Sequence, residues 1–173
     1  MRYLPLDPPD WAALLRGCES DAFHLESRDS YAVPAETARL QRFLSGEPAL
    51  PDEPKARWNA LVRETTGRGV AVRRVRVVSV PHSDYHRWLL SVTDSNTAAG
   101  EDIRYVPRDR AGEVPADDWW LLDDRRVVFN LTDEHDGPAG LAVTTDPGLV
   151  AHCRAVRDRL WDVATPYEEY RAP

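Results

Sequence analysis

The segment that most constrains the fold is residues 70–80, VAVRRVRVVSV. Its valines are β-branched and favour extended backbone, so the segment is predicted to be a central strand. A helical pattern follows at residues 84–92, DYHRWLLSV, and residues 103–106 return to a strand-like composition. A strand, a helix and a strand in this order pair the two strands in parallel through a crossover. The chain is therefore predicted to have an α/β fold.

Helix and strand signals extend this prediction along the whole chain. Proline follows an acidic residue at Pro8, Pro54 and Pro147, where the acidic side chain can cap a helix and the missing proline N–H costs nothing. Helices are predicted at residues 8–17, 34–45, 53–67, 84–92 and 147–161, and strands at residues 22–28, 70–80, 103–106, 119–124, 125–133 and 140–146. The last three strands read as an antiparallel meander. We expect a mixed sheet of about five to six strands flanked by helices.

Length and composition predict one cytoplasmic domain. Hydrophobic residues make up 42% of the 173 residues, which is enough for a single core, so residues 1–173 are taken as one domain. No apolar run approaches the roughly 20 residues that span a bilayer. The first residues also lack the basic start and apolar stretch of a signal peptide. We therefore expect no membrane association.

The charge balance argues against direct nucleic-acid binding. The net charge is −7, which repels phosphate backbones. One basic group could oppose that repulsion, comprising Arg63, Arg68, Arg73, Arg74 and Arg76. The simpler interpretation of its alternation with valine is a half-buried strand whose arginine face is exposed to solvent.

Cysteine and histidine spacing predicts neither a disulfide nor a metal site. Cys18 and Cys153 stand alone without a CxxC motif, so both are expected to be buried thiols. His82 and His86 have the spacing that could place two imidazoles on one helical face. However, the segment HSDYH lacks the glutamate of an HExxH site, and His82 is expected to precede the helix. We expect no metal and no cofactor.

Two resemblances connect the chain to known families. The motifs LESRDSY, RVRVVSVPHSDYHRW, AGEDIRYVPR and DDWWLLDD occur in one order, and the chain resembles an uncharacterised actinobacterial domain family. That resemblance implies a small protein encoded near helix-turn-helix regulators and their companions. More weakly, the order of elements is similar to one half of a phospholipase D-like domain.

The second resemblance implies a catalytically silent relative. Phospholipase D-like enzymes use an HxKxxxxD motif, with a nucleophilic histidine and a phosphate-binding lysine. If Asp123 takes the place of the motif aspartate, Ala116 stands at the histidine position and Asp118 at the lysine position. A methyl group cannot attack phosphorus, and a carboxylate repels phosphate.

The sequence therefore supports two principal hypotheses about function. The first is a non-catalytic regulatory or protein-interaction domain that partners a helix-turn-helix regulator or its companion. The second is a small-ligand-binding protein, or an unrecognised enzyme, with a polar pocket at the carboxyl ends of the parallel strands. The candidate ligand-binding residues are Arg28, Tyr31, Arg76, Tyr85, Arg87, Glu101 and Trp119.

Overall fold

The protein folds around one eight-stranded mixed sheet, as seen in a computed structural model that describes residues 1–4, 8–49 and 52–172. The strand order across the sheet is β1-β7-β6-β5-β2-β3-β4-β8. The strands are β1 (Arg2–Leu4), β2 (Asp21–Glu26), β3 (Ala71–Val78), β4 (Glu101–Pro107), β5 (Trp119–Leu122), β6 (Arg126–Thr132), β7 (Pro138–Thr144) and β8 (Thr165–Pro166).

The strand pairing confirms the predicted α/β arrangement but not the predicted number of strands. β2, β3 and β4 run parallel, and β5, β6 and β7 form the antiparallel meander. The sheet has eight strands among the described residues rather than five to six. The two additional strands, β1 and β8, lie at the edges and have three and two residues. Segments this short contain no periodic pattern that sequence analysis could detect.

Seven α-helices among the described residues connect and cover these strands. They are α1 (Pro8–Arg16), α2 (Pro34–Leu44), α3 (Glu53–Thr66), α4 (Asp84–Val92), α5 (Asp94–Thr97), α6 (Pro147–Val163) and α7 (Tyr167–Tyr170). The Asp52, Ser83 and Asp146 side chains each accept a hydrogen bond from a backbone N–H in the first turn of α3, α4 and α6. These three caps confirm the predicted helix starts. The predicted cap Asp7 lies outside the described residues.

A tight turn joins β5 to β6 where the sequence places it. Asp123 and Asp124 both have positive φ angles, of 51° and 54°, which is the geometry of a type I′ hairpin turn. The Asp123 carboxylate accepts hydrogen bonds from the N–H groups of Glu19, Ser20 and Asp21. Although burial raises the pKa of Asp123, these hydrogen bonds lower it overall. This carboxylate therefore ties the start of β2 to the hairpin.

Both faces of the sheet are buried against helices. On one face, α6 packs Val150, Cys153, Val156 and Leu160 against the strands, as its periodicity predicts. On the other face, α1 and α3 cover β3, β5 and β6 with an apolar cluster. α2 and α4 complete that second layer with a cluster centred on Tyr85, Trp88 and Leu89. The central strands therefore have no solvent-facing side.

The prediction of an exposed arginine face on β3 is wrong. Arg74 and Arg76 point toward the α1–α4 layer and are only 8% and 5% exposed. Neighbouring strands place Glu26 and Glu101 beside them, so their charges are compensated inside the protein. The five arginines considered for nucleic-acid binding consequently do not form one exposed face.

Both cysteines are free, buried thiols, as predicted. Burial raises the pKa of Cys18 to about 12 and the pKa of Cys153 to about 11, so neither is a reactive thiolate. None of the helices in the described part of the chain is long and apolar enough to cross a membrane.

Candidate ligand-binding site

The main candidate site is a cavity of about 1080 Å³ between the sheet and the α1–α4 layer. A smaller depression of about 570 Å³ lies beside β1 and the start of α6, where Thr144, Asp146 and Pro147 contribute to its lining. The larger cavity is the stronger candidate because it combines aromatic walls with buried charged groups. Its aromatic lining consists of Trp11, His24, Trp58, Tyr85, Trp88 and Trp120.

Trp120 of β5 lies at the centre of the aromatic wall. Its ring stacks on His24 with centroids 4.2 Å apart and an angle of 10° between the planes. Trp11 and Trp58 meet the same ring edge-to-face at 5.2 Å and 5.6 Å. Such contacts add to the stability that burial alone supplies and hold the rings in fixed orientations. These contacts therefore fix the orientation of the rings in the wall.

Three buried charged residues, Glu26, Arg74 and Arg76, form the floor of the cavity, and the fully buried Glu101 is paired with them. Arg74 Nε donates to Glu101 Oε1 at 2.7 Å, and Arg76 Nε donates to Glu26 Oε2 at 2.6 Å. Arg74 also donates to the second oxygen of Glu26, which links the two pairs. Trp58 Nε1 donates to the remaining oxygen of Glu101 at 3.0 Å. We call Glu26, Arg74, Arg76 and Glu101 the buried ion network.

The buried ion network is electrically compensated. Burial on its own would raise the pKa of Glu26, but Arg74 and Arg76 lower it well below its ordinary value. Burial acts to lower the pKa of Arg76, and Glu26 reverses this effect and raises it. The network pairs two carboxylates with two guanidinium groups, so its formal charges cancel. The network presents directional hydrogen-bonding groups without a net charge.

His24 adds an uncharged polar edge to the cavity. Burial lowers the pKa of His24 well below its ordinary value, and the charge of Arg74 lowers it further. His24 Nε2 lies 3.2 Å from Asn130 Nδ2. His24 Nδ1 lies 3.6 Å from Glu26 Oε1, beyond hydrogen-bond distance. Asn130 Oδ1 is buried and has no hydrogen-bond partner among the described residues.

Three titratable groups lie in the helical wall of the cavity, namely Tyr85, Glu36 and Lys55. Tyr85 donates its hydroxyl to Glu36 Oε2 at 2.6 Å. Burial raises the pKa of Glu36, although the hydrogen bond from Tyr85 acts in the opposite direction. Lys55 donates from its ammonium group to the carbonyl of Val92. Burial, together with the charges of Arg76 and Arg74, lowers the pKa of Lys55 to about 8, and the charge of Asp52 acts in the opposite direction.

Buried neutral histidines are expected to make folding stability fall as the pH drops from 7 to 4. Burial lowers the pKa of His86 to about 4, and burial also lowers the pKa of His24 well below its ordinary value. Below the ordinary histidine pKa of about 6.5, these histidines bind protons in the unfolded chain but not in the folded chain. Each histidine then contributes a slope of up to about 1.4 kcal/mol per pH unit. The difference in the free energy of urea unfolding between wild type and His86→Gln, measured at each pH in this range, separates the contribution of His86 from that of the carboxylates. A difference that stays constant with pH would contradict the assignment.

The structure brings some of the sequence-predicted site residues together at the cavity. Arg76 and Tyr85 line it. Glu101 is fully buried and does not line it, but it accepts a hydrogen bond from the lining residue Arg74. Tyr31 packs against Tyr85 but directs its hydroxyl to Asp118 at 2.5 Å. Arg28 instead pairs with Asp136 on the β6–β7 loop.

The remaining two predicted residues lie elsewhere. Arg87 is an exposed residue of α4 paired with Asp84. Trp119 is fully buried on the opposite face of the sheet, in the α6 core. Its neighbour Trp120 lines the cavity instead. Adjacent residues of a strand point to opposite faces, so Trp119 lies on the α6 side of the sheet and Trp120 on the cavity side.

The cavity-lining residues that sequence reasoning missed include Trp11, His24, Lys55, Trp58 and Trp120. Trp58 offered a usable signal, because Trp58, Leu61 and Val62 recur at helical spacing and indicate a face of α3 that packs on the sheet. Nothing in the sequence shows that the layer of helices leaves a space above the sheet.

The position of the phospholipase D motif holds a structural carboxylate. Asp118 is 4% exposed and accepts hydrogen bonds from Ser27 N–H and Ser27 Oγ–H, both at 2.8 Å. Burial raises the pKa of Asp118, with the hydrogen bond from Tyr31 acting in the opposite direction. Ala116 occupies the histidine position and contributes a backbone carbonyl to Ser27. These residues connect the end of β2 to β5 and place no imidazole at this position.

The carboxyl ends of the parallel strands carry a separate polar cluster. Asp29 accepts hydrogen bonds from Ser79 N–H at 3.0 Å and from Ser79 Oγ–H at 2.7 Å. Arg108, which follows β4, donates to the Ser27 carbonyl at 2.7 Å. These groups satisfy one another and join the ends of β2, β3 and β4. The cavity lies over the face of the sheet and reaches this edge at Glu26.

The two histidines considered for metal binding have separate environments. His82 precedes α4, as expected, and its Nδ1 lies 2.9 Å from the Ser79 carbonyl. His86 is buried within α4 at 2% exposure. Within residues 1–4, 8–49 and 52–172, no three histidine, cysteine or acidic side chains cluster closely enough to hold a metal ion.

Solved structures with a similar fold include two phospholipase D-type proteins. Nuc from Salmonella typhimurium, a phospholipase D family member, is 13% identical, with a TM-score of 0.53 over 90% of this chain and 87% of Nuc. NucT from Helicobacter pylori is 8% identical, with a TM-score of 0.53 over 91% of this chain and 89% of NucT. At these identities the likeness concerns the fold alone, and it agrees with the weaker resemblance seen in the sequence.

A third structure of similar fold is TrmBL2, an archaeal chromatin protein described with a novel mode of DNA binding. It is 10% identical, with a TM-score of 0.51, and the match covers 95% of this chain. The chain spans about half of TrmBL2, 52% of its length. This likeness also concerns the fold alone.

Sequence comparison places the chain in a family. No protein of curated function matches it in sequence. Residues 9–172 match the family described as "Domain of unknown function (DUF6879)". Since this match covers nearly the whole chain, the protein belongs to the DUF6879 family.

Proposed function

We propose that the protein is a non-catalytic small-molecule-binding domain whose ligand occupies the cavity above the sheet. The observation that carries the proposal is the cavity of about 1080 Å³, with aromatic walls and a compensated buried ion network at its floor. Ligand sites are typically apolar clefts in which a few fixed polar groups supply orientation and specificity.

The residues at the phospholipase D motif support a binding role rather than phosphodiester chemistry. Catalysis of that kind needs an imidazole nucleophile and a cation beside the phosphate. Ala116 and the hydrogen-bonded Asp118 supply neither group. The fold by itself assigns no activity.

The arrangement of exposed apolar residues also favours a ligand over a protein partner as the first hypothesis. The large apolar side chains that are exposed in the described part of the chain are Met1, Tyr3, Leu44, Val80 and Val163. Met1 and Tyr3 lie together at the β1 edge, whereas Leu44, Val80 and Val163 lie in three other parts of the chain. Partner surfaces usually present continuous apolar patches. The expected partnership with a helix-turn-helix regulator stays a prediction.

Removing one wall of the cavity is expected to weaken binding of a small aromatic probe. N-phenyl-1-naphthylamine should bind the wild-type protein with one-to-one stoichiometry, and Trp58→Ala should weaken that binding about tenfold because it removes contact area. Fluorescence titration measures both affinities. The matched control is Trp161→Ala, which removes the same side chain from the opposite face of the sheet. Equal loss in both variants, or no saturable binding to wild type, would refute the proposed function.

A further inference from the structure

Lys55 is the single lysine of a chain that otherwise uses arginine as its basic residue. It lies in α3, in the wall of the cavity, and is partly buried. Its ammonium group donates to the carbonyl of Val92, at the end of α4. A main-chain carbonyl supplies a hydrogen bond but no countercharge.

The buried cations around Lys55 already have carboxylate partners. Arg74 and Arg76 share Glu26 and Glu101 within the buried ion network. Among the described residues, no carboxylate forms an ion pair with Lys55. The nearby Asp52 is paired with Arg39 at 3.3 Å. The charge of Lys55 is therefore the one that the cavity leaves without a direct counterion among these groups.

The neighbouring acid does not provide that counterion. Glu36 is bound by the Tyr85 hydroxyl, and burial together with the charge of Glu26 raises its pKa. The groups that act on Lys55 from the adjacent elements are Arg74, Arg76, Asp52 and Glu101. Burial is the main cause that lowers the pKa of Lys55, with Arg76 and Arg74 acting in the same direction and Asp52 and Glu101 in the opposite one, so the ammonium group is poorly hydrated. An anion entering this environment is stabilised by attraction to Lys55.

We infer that the cavity binds a small molecule with an apolar, ring-containing body and one anionic group, and that the anionic group lies beside Lys55. This inference rests on the proposed function and names the class of ligand. The aromatic wall suits the body, since flat rings stack on or pack against Trp58 and Trp120. The anion gains a charge-assisted hydrogen bond from the ammonium group. A cationic ligand would instead face Lys55 with no free carboxylate in the floor to receive it.

Two probes that share one ring system test the inference. 8-Anilino-1-naphthalenesulfonate carries a sulfonate, and N-phenyl-1-naphthylamine has the same rings without it. Lys55→Met should weaken binding of the sulfonate about tenfold, a typical effect of losing one charge-assisted hydrogen bond, and should change binding of the neutral probe less than twofold. Lys55→Arg keeps the charge and should retain at least part of the sulfonate affinity.

A second measurement follows Lys55 directly. Reductive ¹³C-methylation labels this lysine and the terminal amine, so the spectrum contains one side-chain signal. Saturation with the sulfonate should raise the pKa of Lys55, whereas the neutral probe should not raise it. If Lys55→Met weakens both probes equally or neither, or if the pKa does not rise, the inference fails while the cavity remains a binding site. If neither probe binds wild type, the proposed function fails together with the inference.

Discussion

Replacing Arg74 with methionine is expected to lower the free energy of unfolding by about 3–5 kcal/mol. Arg74 is the guanidinium that contacts both Glu26 and Glu101. The substitution leaves Glu101, whose side chain is 0% exposed, as a buried carboxylate without its cation. Glu26 keeps its pairing with Arg76. The loss therefore arises mainly from one stranded charge, and urea unfolding monitored by tryptophan fluorescence measures it.

A second substitution is expected to recover part of this loss. Arg74→Met combined with Glu101→Gln removes the stranded charge, while the glutamine carbonyl can still accept from Trp58 Nε1 and Asn96 Nδ2. The double variant should be more stable than Arg74→Met alone, because replacing a whole buried pair costs less than breaking it. A double variant whose loss equals the sum of both single losses would argue against a coupled network.

Replacing Trp119 with alanine is expected to cost about 3–5 kcal/mol of stability without weakening probe binding. Trp119 is fully buried against α6, with Phe23 at a centroid distance of 5.6 Å. Truncation leaves a void on the side of the sheet away from the cavity, so the binding site keeps its walls. Denaturant unfolding and titration with N-phenyl-1-naphthylamine test the two effects on the same protein.

Trp119→Phe provides the matched control. The Trp119 indole Nε1 is buried and has no hydrogen-bond partner in the described part of the chain, so phenylalanine loses volume but no hydrogen bond. This variant should therefore be more stable than Trp119→Ala. Loss of probe binding in a folded Trp119 variant would mean that the two faces of the sheet are coupled.

The long elements of the fold could be predicted because each has a local signal. The valines of β3, the proline-marked helix starts and the Asp123–Asp124 turn all correspond to observed elements. The parallel pairing of β3 with β4 also followed from the helix between them. These features depend on residues close together in the chain, which a sequence displays directly.

The candidate site could be predicted only in part because its charges are paired across strands. The register of β2 and β3 places Glu26 beside Arg76, and the pairing of β3 with β4 brings Glu101 next to Arg74. In the sequence, each glutamate is far from the arginine that it pairs with. Without that register, alternating arginine and valine in β3 has the same pattern as a strand with one face in solvent. The cavity depends further on how four helices pack over one sheet face, and no local pattern encodes that spacing.

The two short edge strands limit how copies of this chain can associate through their backbones. β8 has two residues and β1 has three, so each of these two strands itself offers few unpaired N–H and C=O groups to an incoming strand. Pro166, one of the two residues of β8, has no N–H to donate. Sheets with long, flat edges recruit further strands and grow into fibrils. In this protein the β8 edge instead works against that route to aggregation.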